Sequence, residues 1–126
     1  MSDGDFALEL PPLAEHLGTA RSFSAAVARH FGVAGELVED LKIAISEACI
    51  DALVTGERLR VDASGSGRAL RFEVSAPEHQ HTAPERDILD ELGAPARIEL
   101  IRALFADAEI DASDGHRVVR FSVPLP

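Results

Sequence analysis

The segment from Gly35 to Gly56 limits what this chain can fold into more than any other. Leu37, Leu41, Ala44, Ile45, Ala48, Ala52 and Leu53 recur at helical spacing and form a broad apolar face over about five turns, ended by Gly56. A face that wide has to be covered, so the remainder of the chain must supply a sheet or further helices to pack on it. The same segment reads SEACIDAL between residues 46 and 53, which puts Glu47 and Asp51 one turn apart beside the apolar face. Two like charges at that spacing repel by roughly a few tenths of a kcal/mol on an isolated helix. The pair is therefore either solvated surface or part of a site.

The covering elements can be read on both sides of this helix. Phe6, Leu8 and Leu10 alternate with Ala7 and Glu9 as in a half-buried strand, which Pro11-Pro12 ends. From about Glu15 to Phe31 the positions Leu17, Ala20, Val27 and Phe31 follow helical spacing, and Gly32 stands where a left-handed cap is wanted. Leu59, Val61 and Ala63, the turn Ser64-Gly65-Ser66-Gly67, then Leu70, Phe72 and Val74 read as a β-hairpin. Residues 76–92 are proline-interrupted and polar, which predicts a loop leading into a short helix around Ile88 to Leu92. Pro95 suits the first turn of a further helix, with Ile98, Ile101 and Phe105 on one stripe and Leu100 and Leu104 beside it. Ala108, Ile110 and Ala112, the turn Ser113-Asp114-Gly115, and Val119, Phe121 and Val123 make a second hairpin. Paired hairpins imply a mixed, mostly antiparallel sheet, and singly striped helices imply that all of them lie on one of its faces. The fold class is a two-layer α/β sandwich.

The chain has 126 residues with 46% hydrophobic content, the size of one domain with a real core and too short for two, so residues 1–126 are read as a single domain. The 12 Lys and Arg stand against 22 Asp and Glu, a formal net charge of −10. That surface repels phosphate backbones and argues against direct nucleic-acid binding, while it would favour a basic protein partner. No apolar run is long enough to span a membrane, and the start MSDGDFALEL is acidic where a secretory signal is basic. The expected location is the cytoplasm, with no membrane association. Cys49 is the single cysteine, has no internal disulfide partner, and reads as a small buried core residue.

Together, the element order and the stretch VEDLKIAISEACIDAL resemble the anti-sigma factor/serine kinase family, small members of the GHKL, histidine-kinase-like ATPase superfamily with the Bergerat fold. The likeness runs from ALEL to the closing hairpin LIRALFADAEIDASDGHRVVRFSVPL. It implies that Glu47 occupies the family's catalytic base position. Asp51 stands where the family has the Asn that binds magnesium, and Gly93 is what remains of the phosphate loop. Arg21, in TARSF, matches an arginine that contacts partners in the family, against the alternative of a solvated arginine on a helix face. The implied partners are a sigma factor and an anti-anti-sigma factor. Family members are often homodimers, and the resemblance extends that expectation to this chain.

Three departures bear on nucleotide binding. Asp51 can serve as a hard magnesium ligand but adds negative charge beside a triphosphate. After the strand ending at Val74 the family has an Asp-x-Gly-x-Gly pattern that reads adenine, whereas this chain has Ser75-Ala76-Pro77-Glu78-His79-Gln80. The phosphate turn reads Leu92-Gly93-Ala94-Pro95-Ala96-Arg97, where Pro95 has no amide to offer an anion and Arg97 reads as a solvated surface residue. Phosphoryl transfer rests on positioning and charge compensation by such parts. The expectation is accordingly a sigma-factor-sequestering protein with no cofactor. The alternative is a kinase using ATP and magnesium to phosphorylate an anti-anti-sigma partner, and a scaffold that has lost both roles stands third. His79-Gln80-His81, with Glu78 and Glu85 nearby, reads as a polar loop rather than a metal site because no further His or Cys closes a ligand set. Ser46 and Cys49 sit on a helix with no elbow motif or histidine partner, so neither reads as a nucleophile.

Overall fold

The computed structural model describes residues 5–78, 84–112 and 115–126. In chain order the elements are β1 (Phe6–Leu10), a short 3-10 turn (Ala14–His16), α1 (Leu17–His30), α2 (Gly35–Leu53), β2 (Leu59–Ser66), β3 (Ala69–Pro77), α3 (Pro84–Leu104), β4 (Glu109–Asp111) and β5 (His116–Pro124). The strands form one sheet in the order β1-β2-β3-β5-β4. Every pairing among the described residues is antiparallel, the wholly antiparallel form of the mostly antiparallel sheet expected: strands joined as hairpins pair with their sequence neighbours, and β3 meets β5 antiparallel as well.

Side-chain alternation along the strands divides the sheet into two faces. The row Leu8, Val61, Val74, Val119 and Ile110 crosses all five strands in register, and the row Phe6, Ala63, Phe72 and Phe121 runs beside it. These rows point to the helices, and Val61, Ala63, Phe72, Val74, Val119 and Phe121 are buried. Phe121 lies between Phe72 and Phe105, with ring centroids 5.9 Å and 5.1 Å away. The opposite face carries paired charges, among them Arg60 with Glu9 and Asp62, and Arg120 with Glu73 and Glu109. Two layers with all helices on one face thus follow from the period-two pattern of the strands.

Small residues let α1 and α2 approach each other. Ala20, Ala25 and Ala28 on α1 and Ala44, Ala48 and Ala52 on α2 are all buried. Gly32 takes φ +79° after α1, and the amides of Gly32 and Val33 bond the carbonyls of Arg29 and Ala28, which is the Schellman closure. Gly65 has another role: a Cβ there would sit 2.7 Å from the Phe31 ring, so its lack of a side chain makes room for that ring on β2. The first hairpin turns later than the sequence suggests, because β2 extends to Ser66 and only Gly67-Arg68 lie between the strands, with Gly67 at φ +61°. In the second hairpin Gly115 is at φ +73°, and Ser113-Asp114 lie outside the described residues.

The largest difference concerns α3. Instead of a short helix near residues 88–92 followed by another from Pro95, one helix runs from Pro84 to Leu104 with Pro95 inside it. Pro84 takes the first-turn position that the sequence reading gave to Pro95. An interior proline withdraws one amide from the carbonyl four residues back and crowds that carbonyl with its ring, a cost that burial of Ile98, Ile101 and Phe105 offsets. The anticipated loop 76–92 shrinks accordingly, since β3 reaches Pro77 and α3 begins at Pro84.

Candidate functional site

Asp51 lies in the last turn of α2 and is almost completely buried, at 2% exposure. It sits one turn beyond Ala48 among the buried positions of α2, and its carboxylate reaches β5. A carboxylate in such a place must be paired, because desolvating an unpartnered charge costs several kcal/mol, as an order of magnitude. The partner is Arg117, near the start of β5, which falls on the inward row with Val119, Phe121 and Val123. Its register partner on β3 is Ala76, buried and small, which leaves space for a guanidinium.

Arg117 grips Asp51 with two parallel hydrogen bonds, Nε to Oδ2 at 2.6 Å and Nη2 to Oδ1 at 3.1 Å. Its remaining nitrogen, Nη1, donates to Glu78 Oε1 at 3.1 Å. Glu78 is fixed by its own amide, which donates to the Gly115 carbonyl at 2.8 Å and continues the β3–β5 ladder past Pro77. The bidentate bond to Asp51 does most to push the Arg117 pKa above its ordinary value, with burial opposing and the Asp51 and Glu78 charges adding to the rise. Arg97, from α3, adds a longer contact, Nη2 to Asp51 Oδ1 at 3.4 Å, while its buried Nε has no partner among the described residues. Two acids and two guanidiniums from α2, the residue after β3, α3 and β5 thus form a compact cluster with balanced charge. On the far side of Arg117 lies a groove of about 450 Å³ between α3 and β4, whose hydrocarbon walls include Pro95, Ile98, Ile110 and Ala112.

The residues singled out from sequence fall around this cluster in different ways. Asp51 is at its centre. Glu47, one turn earlier, is half-buried and makes no side-chain bond or ion pair with another described residue. Arg21 is not simply solvated: its Nη1 donates to Ser46 Oγ at 3.1 Å, which ties α1 to α2 at the residue before Glu47. Gly93 lies inside α3 rather than in a turn before it, and the Arg97 guanidinium is folded against it, 2.7 Å from where a Cβ would be. Arg97, expected in solvent, has a side chain only 16% exposed because it turns inward to Asp51. Cys49 is buried, and burial raises its thiol to about 12. His79-Gln80-His81 lie outside the described residues.

Sequence reasoning missed Arg117, although a signal was present. In HRVVRFSVP the inward parity set by Val119, Phe121 and Val123 also includes position 117, so an arginine there had to bring a counter-charge from a helix.

The sequence pattern of the histidine kinase-like ATPase domain matches residues 10–123. The chain belongs to that family. Among solved structures it is similar to the RsbU and RsbW domains of Rv1364c from Mycobacterium tuberculosis, with a TM-score of 0.72 and 18% identity over 95% of this chain. The match takes in 31% of that longer chain. A comparison with curated proteins finds no match. Among the described residues, no helix is long and apolar enough to cross a membrane.

The magnesium nucleotide implied by the fold family does not fit the residues present. Both oxygens of Asp51 already accept guanidinium N–H groups in a buried place, so a metal there would have to displace an arginine. The stretch expected to cradle phosphates is helical and contains a proline, so it offers no run of free amides to an anion.

Proposed function

We propose that this protein is an anti-sigma-factor-like regulator that binds and sequesters a sigma factor without ATP-dependent phosphoryl transfer. The observation that carries this reading is the bidentate Arg117–Asp51 pair, which occupies the acid where a histidine-kinase-like ATPase would hold its metal. Partner surfaces need no such site, because function resides in patches placed on a fold. Arg21 is a partner contact in this reading, its Ser46 bond fixing the exposed part of the side chain beside α2. The net charge of −10 suits a basic partner surface. An anti-anti-sigma factor would release the complex, which would form in the cytoplasm where transcription takes place.

One observation favours a second reading, an ATP- and magnesium-dependent serine/threonine kinase acting on an anti-anti-sigma partner. Glu47 is half-buried and unbonded to other described residues, as a base awaiting a hydroxyl would be. Co-purification with each sigma factor of the source organism in nucleotide-free buffer tests the first reading. One sigma factor should be retained by the wild type and lost with Arg21→Glu. Retention of none, or retention only after adding ATP and magnesium, would count against it.

A further inference from the structure

The disagreement between fold family and site comes down to one side chain. We propose that Arg117 is the specificity-determining residue of this pocket: its guanidinium serves as a built-in cation that excludes divalent metal from Asp51. Two carboxylates from different elements, Asp51 on α2 and Glu78 after β3, converge on opposite edges of the same planar group. A divalent ion in such a place characteristically takes one or two carboxylates, so the guanidinium satisfies the groups a metal would use. It has two advantages over a metal. Arginine stays protonated at every physiological pH, and it is tethered to β5, so a metal from solution must displace an intramolecular partner.

Arg97 is a weaker second cation. Its contact with Asp51 is single and longer, so it backs the Arg117 grip without replacing it. Removing Arg117 alone leaves the Asp51 and Glu78 charges with too little compensation in a largely dry place, a situation relieved by taking up a proton or a metal cation. At neutral pH and millimolar divalent ion, the metal should win.

The test is Mn²⁺ binding, without nucleotide, followed by electron paramagnetic resonance and calorimetry on wild type, Arg117→Gln and Arg117→Lys. Arg117→Gln should bind Mn²⁺ at least about tenfold more tightly than wild type, a gain of about 1.4 kcal/mol. Adding Asp51→Asn should abolish the gain, and Arg117→Lys, which keeps a charge in place, should behave like wild type. A folded Arg117→Gln that binds Mn²⁺ no better than wild type would overturn the proposal, as would a gain that survives Asp51→Asn or is shared by Arg117→Lys. If Arg117→Gln does not fold alone, refolding it against Mn²⁺ is equally decisive. Recovery of native circular dichroism supports a cation role, and failure to recover contradicts it. Resting on the nucleotide-independent reading, the proposal still fails separately from it, since sigma-factor capture by the wild type does not report on Mn²⁺ at the variant.

Discussion

The two ends of α2 solve the burial problem by opposite means. Along most of its length Val38, Leu41, Ala44, Ile45 and Ala48 lie on apolar neighbours, with no polar group to satisfy. In the last turn Asp51 enters the same buried layer as a charge and is held there chiefly by Arg117 from β5, with Arg97 as a longer second contact. The first end is held by non-directional contacts that tolerate exchange at constant volume. The second depends on directional bonds whose loss leaves a stranded ion. The difference shows that one helix can carry both modes of burial within a few turns.

The largest expected effect separates these two modes. Arg117→Ala should cost about 3–5 kcal/mol in urea denaturation by exposing Asp51 as an unpaired buried charge. Phe72→Ala in the apolar layer should cost a similar amount, about 3–5 kcal/mol, through a cavity. The second change tells the two apart: Asp51→Asn should recover most of the Arg117→Ala loss and none of the Phe72→Ala loss. Equal behaviour of the two backgrounds would erase the distinction.

A smaller effect comes from the apolar side. Gly65→Ala should destabilise by about 1–3 kcal/mol, because the new methyl meets the Phe31 ring at 2.7 Å. Phe31→Leu in the same chain should relieve it, with thermal denaturation as the readout. Cys49 gives a pH-dependent test of the same layer. Its folded thiol is raised to about 12 from an ordinary 9.0, so the fold favours the protonated form. That stabilisation is complete below pH 9, declines as pH rises from 9 toward 12, and should amount to a loss of about 1 kcal/mol by pH 10. Cys49→Ala should remove this part of the slope. The smallest effect belongs to the solvent face, where Arg60→Ala breaks pairs to Glu9 and Asp62 that are open to water and should leave the urea midpoint unchanged within error.

What could be read from the sequence follows the same division. Wherever burial repeats with a period, as in α1, α2 and the strand rows through Val61, Phe72, Val74 and Phe121, the pattern alone locates the element and its inner face. The position of Asp51 on α2 was legible for that reason. Its partner was not, because Arg117 lies 66 residues away and the pairing depends on the β3–β5 register, which no local pattern encodes. The boundary of α3 was misplaced because Pro95 is a strong local signal against a helix that tertiary packing of Ile98 and Ile101 maintains. Arg97 reads as solvated because a surface arginine usually is, whereas its length lets it reach inward from that same unbroken helix.

In the proposed reading Asp51 belongs to the protein's own arginine and not to a metal nucleotide. Calorimetric titration of the wild-type chain with ATP and magnesium is the decisive experiment. The expected trace shows only heats of dilution, unchanged by Asp51→Asn. A saturable micromolar isotherm that disappears with Asp51→Asn or Glu47→Ala would contradict it.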